Sequence, residues 1–325
     1  MAEPTETVTA PGPATGPGVR RSSPDNTGTT GTTGAGRAAR ALRAAARYLG
    51  IVPFGVYVTL GLIIPLIAVA IGAFEDSSTG AFTLANVNTA LHGAYLTGFE
   101  NSLVLSVVTA VIPGILGLLV AYAIHTARGA GAGVLRQVVV TASGVFANFG
   151  GVPLAFLFIT TLGSSGLETQ WLSDLGFNPY DHGFNLYSML GIEIVYMYFQ
   201  IPLMVLVTLP ALEGLRPAWR EAAENLGARS WTYWRYVGGP VLMPAFLGSV
   251  LLLFGFALEA YATADALTSG TIPITALQIG QVMSGNVITG SVNVGKALGL
   301  GMVLIVAVVM VLYVLLQRRA SKWLR

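Results

Sequence analysis

The chain has 325 residues, 54% of them hydrophobic and only 10% charged, against roughly 25% charged in an ordinary soluble domain. Seventeen Lys and Arg with fifteen Asp and Glu cannot cover the surface of a water-soluble fold of this length, which excludes a soluble enzyme and makes a membrane protein the expectation. Cysteine is absent, which excludes disulfides, thiolate metal sites and a Cys nucleophile, and a net charge of +2 is too small to suggest a nucleic-acid partner.

Residues 1–36 are mainly Thr, Gly, Pro, Ala and Ser, with too little apolar surface to offset their ordering entropy, and are expected to form a disordered tail. No apolar core follows a basic start early enough for a secretory signal. Arg37, Arg40, Arg43 and Arg47 then share one face of an Ala-rich helix over 37–47, suited either to an anionic membrane surface or to plain solvation. An apolar, membrane-spanning region, 48–320, follows, and a basic tail, 321–325, closes the chain.

Crossing a bilayer takes about 20 uncharged residues. That criterion, with the fourth stretch interrupted only by Glu193, places six spans near 50–74, 101–125, 138–162, 185–212, 242–263 and 296–316. Residues 266–295 are also uncharged but rich in Gly, Thr, Ser and Asn, which reads as an extracytoplasmic loop with a short interfacial or re-entrant helix around Ile274 to Met283. With the N-terminus inside, 16 of the 17 Lys and Arg fall on the cytoplasmic side and only Lys296 outside, so both termini are expected to be cytoplasmic. The connecting loops are too short to hold a soluble domain, so energy must come from other chains or from an ion gradient.

The longest run of cytoplasmic signals lies between spans four and five, in the loop 213–240. Pro217 suits a first helical turn and Gly227 a left-handed stop, which predicts a helix over about 217 to 226. Ser230 then caps a second short helix carrying Trp231, Tyr233, Trp234 and Tyr236, aromatic residues that favour a membrane interface.

Glu221-Ala222-Ala223, three residues, Gly227-Ala228, and the later Pro240 and Pro244 resemble the "EAA" motif of the membrane subunits of binding-protein-dependent ABC importers, with Gly239 standing where that pattern has Leu. The resemblance covers roughly residues 48–320. It implies an all-α, six-span fold of the type I ABC importer permease class in the inner membrane, and a coupling helix around Glu221, Ala222, Ala223, Gly227 and Ala228 that docks on a separate ATPase. It further implies a dimeric ATPase partner, a second permease subunit, identical or different, and an extracytoplasmic solute-binding protein. ATP and magnesium would be bound by the ATPase, leaving this chain without cofactor or catalytic residues. Asn225-Leu226-Gly227-Ala228 is more similar to the spermidine/putrescine, ferric iron and thiamine branch, which puts a polyamine first among substrates.

Other candidates are weaker. Gly290 to Ala297 nearly spells a phosphate-binding loop, but Ala297 replaces the hydroxyl residue and no strand precedes it; Gly295 and Gly299 read instead as a small-residue packing face. Glu193 in span four and Glu259 in span five stand at membrane depth, where an ionised carboxylate costs on the order of 2.5 to 3.5 kcal/mol unless paired or wet. Each is either a cation-attracting group of the translocation path or, in the plainer reading, an interhelical partner (Glu193) or an outer-interface residue (Glu259). Asn148 and Gln200 are path candidates or interhelical hydrogen bonds. Phe149-Gly-Gly-Val-Pro153 should interrupt span three and Pro202 kink span four. His92, His125 and His182 are scattered, so no metal site is expected. The rival to the permease reading is an ion-coupled secondary transporter or channel working alone through Glu193 or Glu259.

Overall fold

The computed structural model describes residues 52–284 and 292–321. The expected N-terminal tail, the basic helix over 37–47 and the end of the C-terminal tail lie outside them. The chain divides into two compact units, one ending at Leu62 and the other running from Ile63. In the first, α1 (Val52–Val58) and a π-helical turn begun at Thr59 present their apolar side chains outward.

Among its described residues the second unit consists of helices joined by turns and loops, with one isolated bridge, between Glu75 and Phe82. In chain order it contains α2 (Ile64–Ala73), α3 (Ala85–Ala90), α4 (Gly93–Thr126), α5 (Ala132–Asn148), α6 (Val152–Leu162) and α7 (Leu167–Asp174). These are followed by α8 (Met189–Glu213), α9 (Pro217–Asn225), α10 (Ser230–Tyr233), α11 (Gly239–Glu259), α12 (Tyr261–Thr268), α13 (Thr275–Met283) and α14 (Val292–Ser321). Six segments among the described residues are long and apolar enough to cross a membrane. Their exposed faces carry large apolar side chains, for instance Leu304, Val308, Val311, Leu312 and Leu315 along α14. Apolar surface on that scale is stable against lipid and an aggregation liability in water.

The two long central helices, α4 and α8, pack along most of their length, with α5 and α11 on their flanks. Their close approach has a specific cause. At Gly117 of α4 an added Cβ would lie 2.5 Å from Met204 Cβ and 2.8 Å from the Ile201 carbonyl oxygen of α8. Small residues at a helix crossing let backbones meet where lipid supplies no hydrophobic drive. Gly117→Leu is therefore expected to split this pair, at a cost above the about 1–3 kcal/mol typical of overpacking, and to remove the monodisperse peak in size-exclusion chromatography. Gly133→Leu, at a site with open space around its Cβ, should leave that peak intact.

The expected breaks come out unevenly. Span three is interrupted where Gly150 and Pro153 predicted it, between α5 and α6, with Gly151 at φ +75, ψ −152, a conformation that only glycine holds cheaply. Span four is one helix through Pro202, where a kink rather than a break is expected, and through Pro210. Span five, expected to run from 242 to 263, starts earlier and breaks at Ala260 (φ −69, ψ 82), where neither the residue itself nor its adjoining neighbours are Gly or Pro. Within the expected loop 266–295, α13 occupies Thr275–Met283 and buries Thr275, Leu277, Gln278 and Val282. Three bonds pin this segment to α4: Thr275 N–H donates to Ser102 Oγ (2.9 Å), Asn101 Nδ2 to the Pro273 carbonyl (2.8 Å) and Gln278 Nε2 to the Ala94 carbonyl (2.7 Å). Val292 to Ala297, the described part of the phosphate-loop lookalike, is the first turns of α14, with Gly295 against Val282 and Met283.

Candidate functional site

The loop between α8 and α11 is built as a rigid arm. Gly214 ends α8, Leu215 turns inward and is buried, and Arg216 is extended so that Pro217 opens α9 at its first position. α9 has no buried residue, and its neighbour in the structure is the short α10. Its exit is closed by two backbone bonds: Ala228 N–H donates to the Ala223 carbonyl and Gly227 N–H to the Glu224 carbonyl, both at 2.9 Å, with Gly227 at φ +77. This is the Schellman arrangement, a six-to-one and a five-to-two bond around a left-handed glycine. It explains the glycine of the motif: Gly227 supplies the left-handed conformation between the backbone-bonded Ala223 and Ala228. Glu221 and Ala222 stay on the exposed face, and Leu226, 87% exposed, stands at the tip.

The arm is anchored at both ends. Leu215 joins an apolar cluster with Ala121, Ile124, Leu209, Leu212 and Leu242. On the return, buried Tyr233 meets Trp234 edge-on, and Trp234 packs edge-on against Tyr122 of α4 with ring centroids 5.4 Å apart. A π-helical turn at Trp234–Gly238 then leads into α11. On α9 itself Arg220 Nε donates to Glu224 Oε1 at 2.9 Å, one helical turn along, which raises the guanidinium pKa further; both groups are exposed and the pair adds little stability. Arg136, near the start of α5, pairs with Glu213, the last residue of α8, and so ties a third helix to the root of the arm. No spacing in the sequence signals that pair.

The four path candidates fall in different surroundings. Gln200 is fully buried in α8, and among the described residues neither its amide oxygen nor its nitrogen has a hydrogen-bond partner. Glu193 is half-buried two helical turns earlier. Asn148 is exposed at the end of α5, where its side chain donates to the Gly144 carbonyl (2.8 Å). Glu259, also exposed, ends α11 and stands at a groove of about 720 Å³ whose walls include Leu252, Gly255, Phe256, Met302 and Val306. Among the described residues no hydrogen bond joins any of the four to another. Asn148 and Glu259 nevertheless border one feature: Gly151, three residues after Asn148, is hydrogen-bonded to Thr263, four residues after Glu259. No group of His, Asp or Glu suited to a metal ion occurs among the described residues.

Residues 179–325 match the family model described as binding-protein-dependent transport system inner membrane component. The sulfate transport system permease protein CysT of Escherichia coli (strain K12) is 29% identical over 159 residues, 49% of this chain and 54% of that protein. The chain thus spans about half the length of that relative. The ferric transport system permease protein FbpB of Actinobacillus pleuropneumoniae is 28% identical over 230 residues, 69% of this chain and 32% of that protein. In three dimensions the chain is similar to a chain of a bacterial alginate ABC transporter crystallised with its alginate pentasaccharide-bound periplasmic protein, with TM-score 0.67 and 19% identity, over 86% of this chain and 96% of that one. At that identity the likeness speaks for the fold.

Proposed function

We propose, from the premise that the chain belongs to the inner membrane components of binding-protein-dependent transport systems, that it is the membrane-spanning subunit through which an ATP-driven importer moves a small solute. The observation that carries this reading is the arm between α8 and α11. It is a helix with no buried residue, locked at its exit by Gly227 and rooted in the core on both sides, which suits transmission of force from a partner to the spans. The partner is a separate ATPase dimer whose nucleotide-driven closure carries Glu221, Ala222, Ala223, Gly227 and Ala228 with it. A second permease subunit completes the pathway, and an extracytoplasmic binding protein delivers the solute. The chain is a transport component and leaves ATP and magnesium to the ATPase. The excess of Lys and Arg at the arm and at both ends of the chain supports a cytoplasmic placement for all three.

For the pathway we take Gln200, Glu193, Asn148 and Glu259 as lining candidates. Two carboxylates and two amides favour a cationic solute, a polyamine first and ferric iron next. The name of the sulfate relative argues for the opposite charge, so the substrate test must include both signs. The partner binding protein, screened by calorimetry against spermidine, putrescine, ferric iron, thiamine and sulfate, is expected to bind a cation and not sulfate.

The subunit role is checked by purification. The chain should bring an ATPase with it and, once reconstituted with the binding protein, take up solute only when ATP is supplied. Deletion of residues 218–228 should abolish that uptake while the chain still inserts. Uptake by the chain alone, driven by an ion gradient, would replace this reading with that of a secondary transporter.

A further inference from the structure

Two spans are broken at one place. α5 gives way to α6 at Phe149–Gly151, and α11 gives way to α12 at Ala260. A helix resists bending because each turn is tied to the next, and a break leaves amide and carbonyl groups that cost free energy in an apolar surrounding unless something meets them. Here two side chains from elsewhere meet them. Thr263 Oγ1 accepts the Gly151 N–H at 2.9 Å and donates to the Gly151 carbonyl at 3.4 Å. The Tyr196 hydroxyl, on α8, donates to the Ala260 carbonyl at 2.5 Å. Each break is thereby tied to a neighbouring helix.

The apolar packing also changes across the breaks, with Ala257 of α11 and Ile192, Val195 and Tyr196 of α8 belonging to the same cluster as the residues beyond them. On one side of the breaks Leu154, Ala155, Ala264, Leu267, Ile274 and Leu277 pack together. On the other, the cluster of Leu209, Leu212 and Leu242 continues into the root of the arm. α6 and α12 lie against each other on the first side, whereas α5 and α11 flank the central pair on the second. Two half-helices packed on each other, α6 and α12, and joined to α5 and α11 at two side-chain-bonded breaks have the construction of a hinge, since rotation there costs side-chain hydrogen bonds and leaves the helical ladders intact.

We infer that Gly151 and Ala260, held by Thr263 and Tyr196, form the hinge of the alternating-access motion, with Tyr196 and Thr263 as positioning residues for transport. The inference rests on the permease reading above. It assigns to two side chains that touch no solute the task of holding the far halves of spans three and five in one of two settings.

The chain has no cysteine, so a single reporter can be added without further engineering. Gly150, where an added Cβ meets nothing within 4 Å, is the place for it. In the assembled transporter in vesicles, Gly150→Cys should react with a hydrophilic maleimide at rates about tenfold apart with and without a non-hydrolysable ATP analogue, the ratio that one or two net hydrogen bonds support. Adding Thr263→Val or Tyr196→Phe should collapse the ratio below about twofold and lower uptake, while Thr263→Ser, which keeps the hydroxyl, should restore both. An unchanged ratio and uptake in both variants, or a parent ratio near one with ATP-driven uptake intact, overturns the hinge and spares the permease reading. Uptake by the Gly150→Cys parent that ignores ATP overturns both.

Discussion

Replacing Gly227 with leucine is expected to abolish ATP-driven uptake while the chain continues to insert and to hold its spans. The glycine sits at φ +77, where an L-residue pays roughly 1–2 kcal/mol in backbone strain alone. The larger effect is geometric. Without the left-handed residue the Ala228 to Ala223 and Gly227 to Glu224 bonds cannot both form, so α9 leaves the loop in another direction and its exposed face no longer meets a partner. No buried residue of α9 is lost, and the anchors at Leu215, Tyr233 and Trp234 remain, so thermal stability in detergent should fall by only a few degrees. The measurement is uptake against inserted protein in the same vesicles. Gly227→Asn, the residue next best at that conformation, should retain part of the activity. Full uptake by Gly227→Leu would mean that the arm's exit geometry is irrelevant to coupling.

The second large effect has opposite signs in two assays. Gln200→Met is expected to raise the melting temperature of the detergent-solubilised protein by about 5 °C and to lower uptake at least tenfold. A buried amide with no partner on either end costs about 1–3 kcal/mol per group, and methionine fills the same volume without that cost. On the scale of about 2–4 °C per kcal/mol for a domain of this size, the gain is several degrees. The expected loss of uptake follows from the proposed pathway role, in which the amide would gain partners as the surrounding helices move or solute passes and a thioether would not. A more stable protein with unchanged uptake would make Gln200 an ordinary core residue and leave Glu193 as the candidate on α8.

Much of the architecture is legible in the residues. Absence of charge marks a span because an ionised side chain in lipid is expensive, and that cost applies before any tertiary contact forms. The helix of the arm is legible for a similar reason. Pro217 and Gly227 act locally, one by lacking an N–H and the other by lacking a Cβ, and the helix found, Pro217–Asn225, ends within a residue of the expected 226. The interruption at Gly150–Pro153 is another local effect.

Other features have no local cause. Pro202 is the site of an expected kink, and α8 continues as one helix through it, with α4 and α5 packed along it. Ala260 reads as helix interior, yet span five breaks there, and the Ala260 carbonyl is met by a tyrosine 64 positions away in the chain. Arg136 with Glu213 and Thr263 with Gly151 are likewise pairs of distant residues, 77 and 112 positions apart. Among the path candidates, spacing could nominate Gln200 but could not tell it from Asn148; full burial without a partner separates them, and burial is a property of the assembled helices.

The dividing line is therefore one of range. Where a residue's effect arises from its own backbone or from its cost in lipid, as for the spans, the arm and its glycine exit, composition and spacing are sufficient. Where the effect is a hydrogen bond or a void shared between helices far apart in the chain, as for the two tied breaks and the unpaired amide of Gln200, it exists only once α4, α8, α11 and their neighbours have packed.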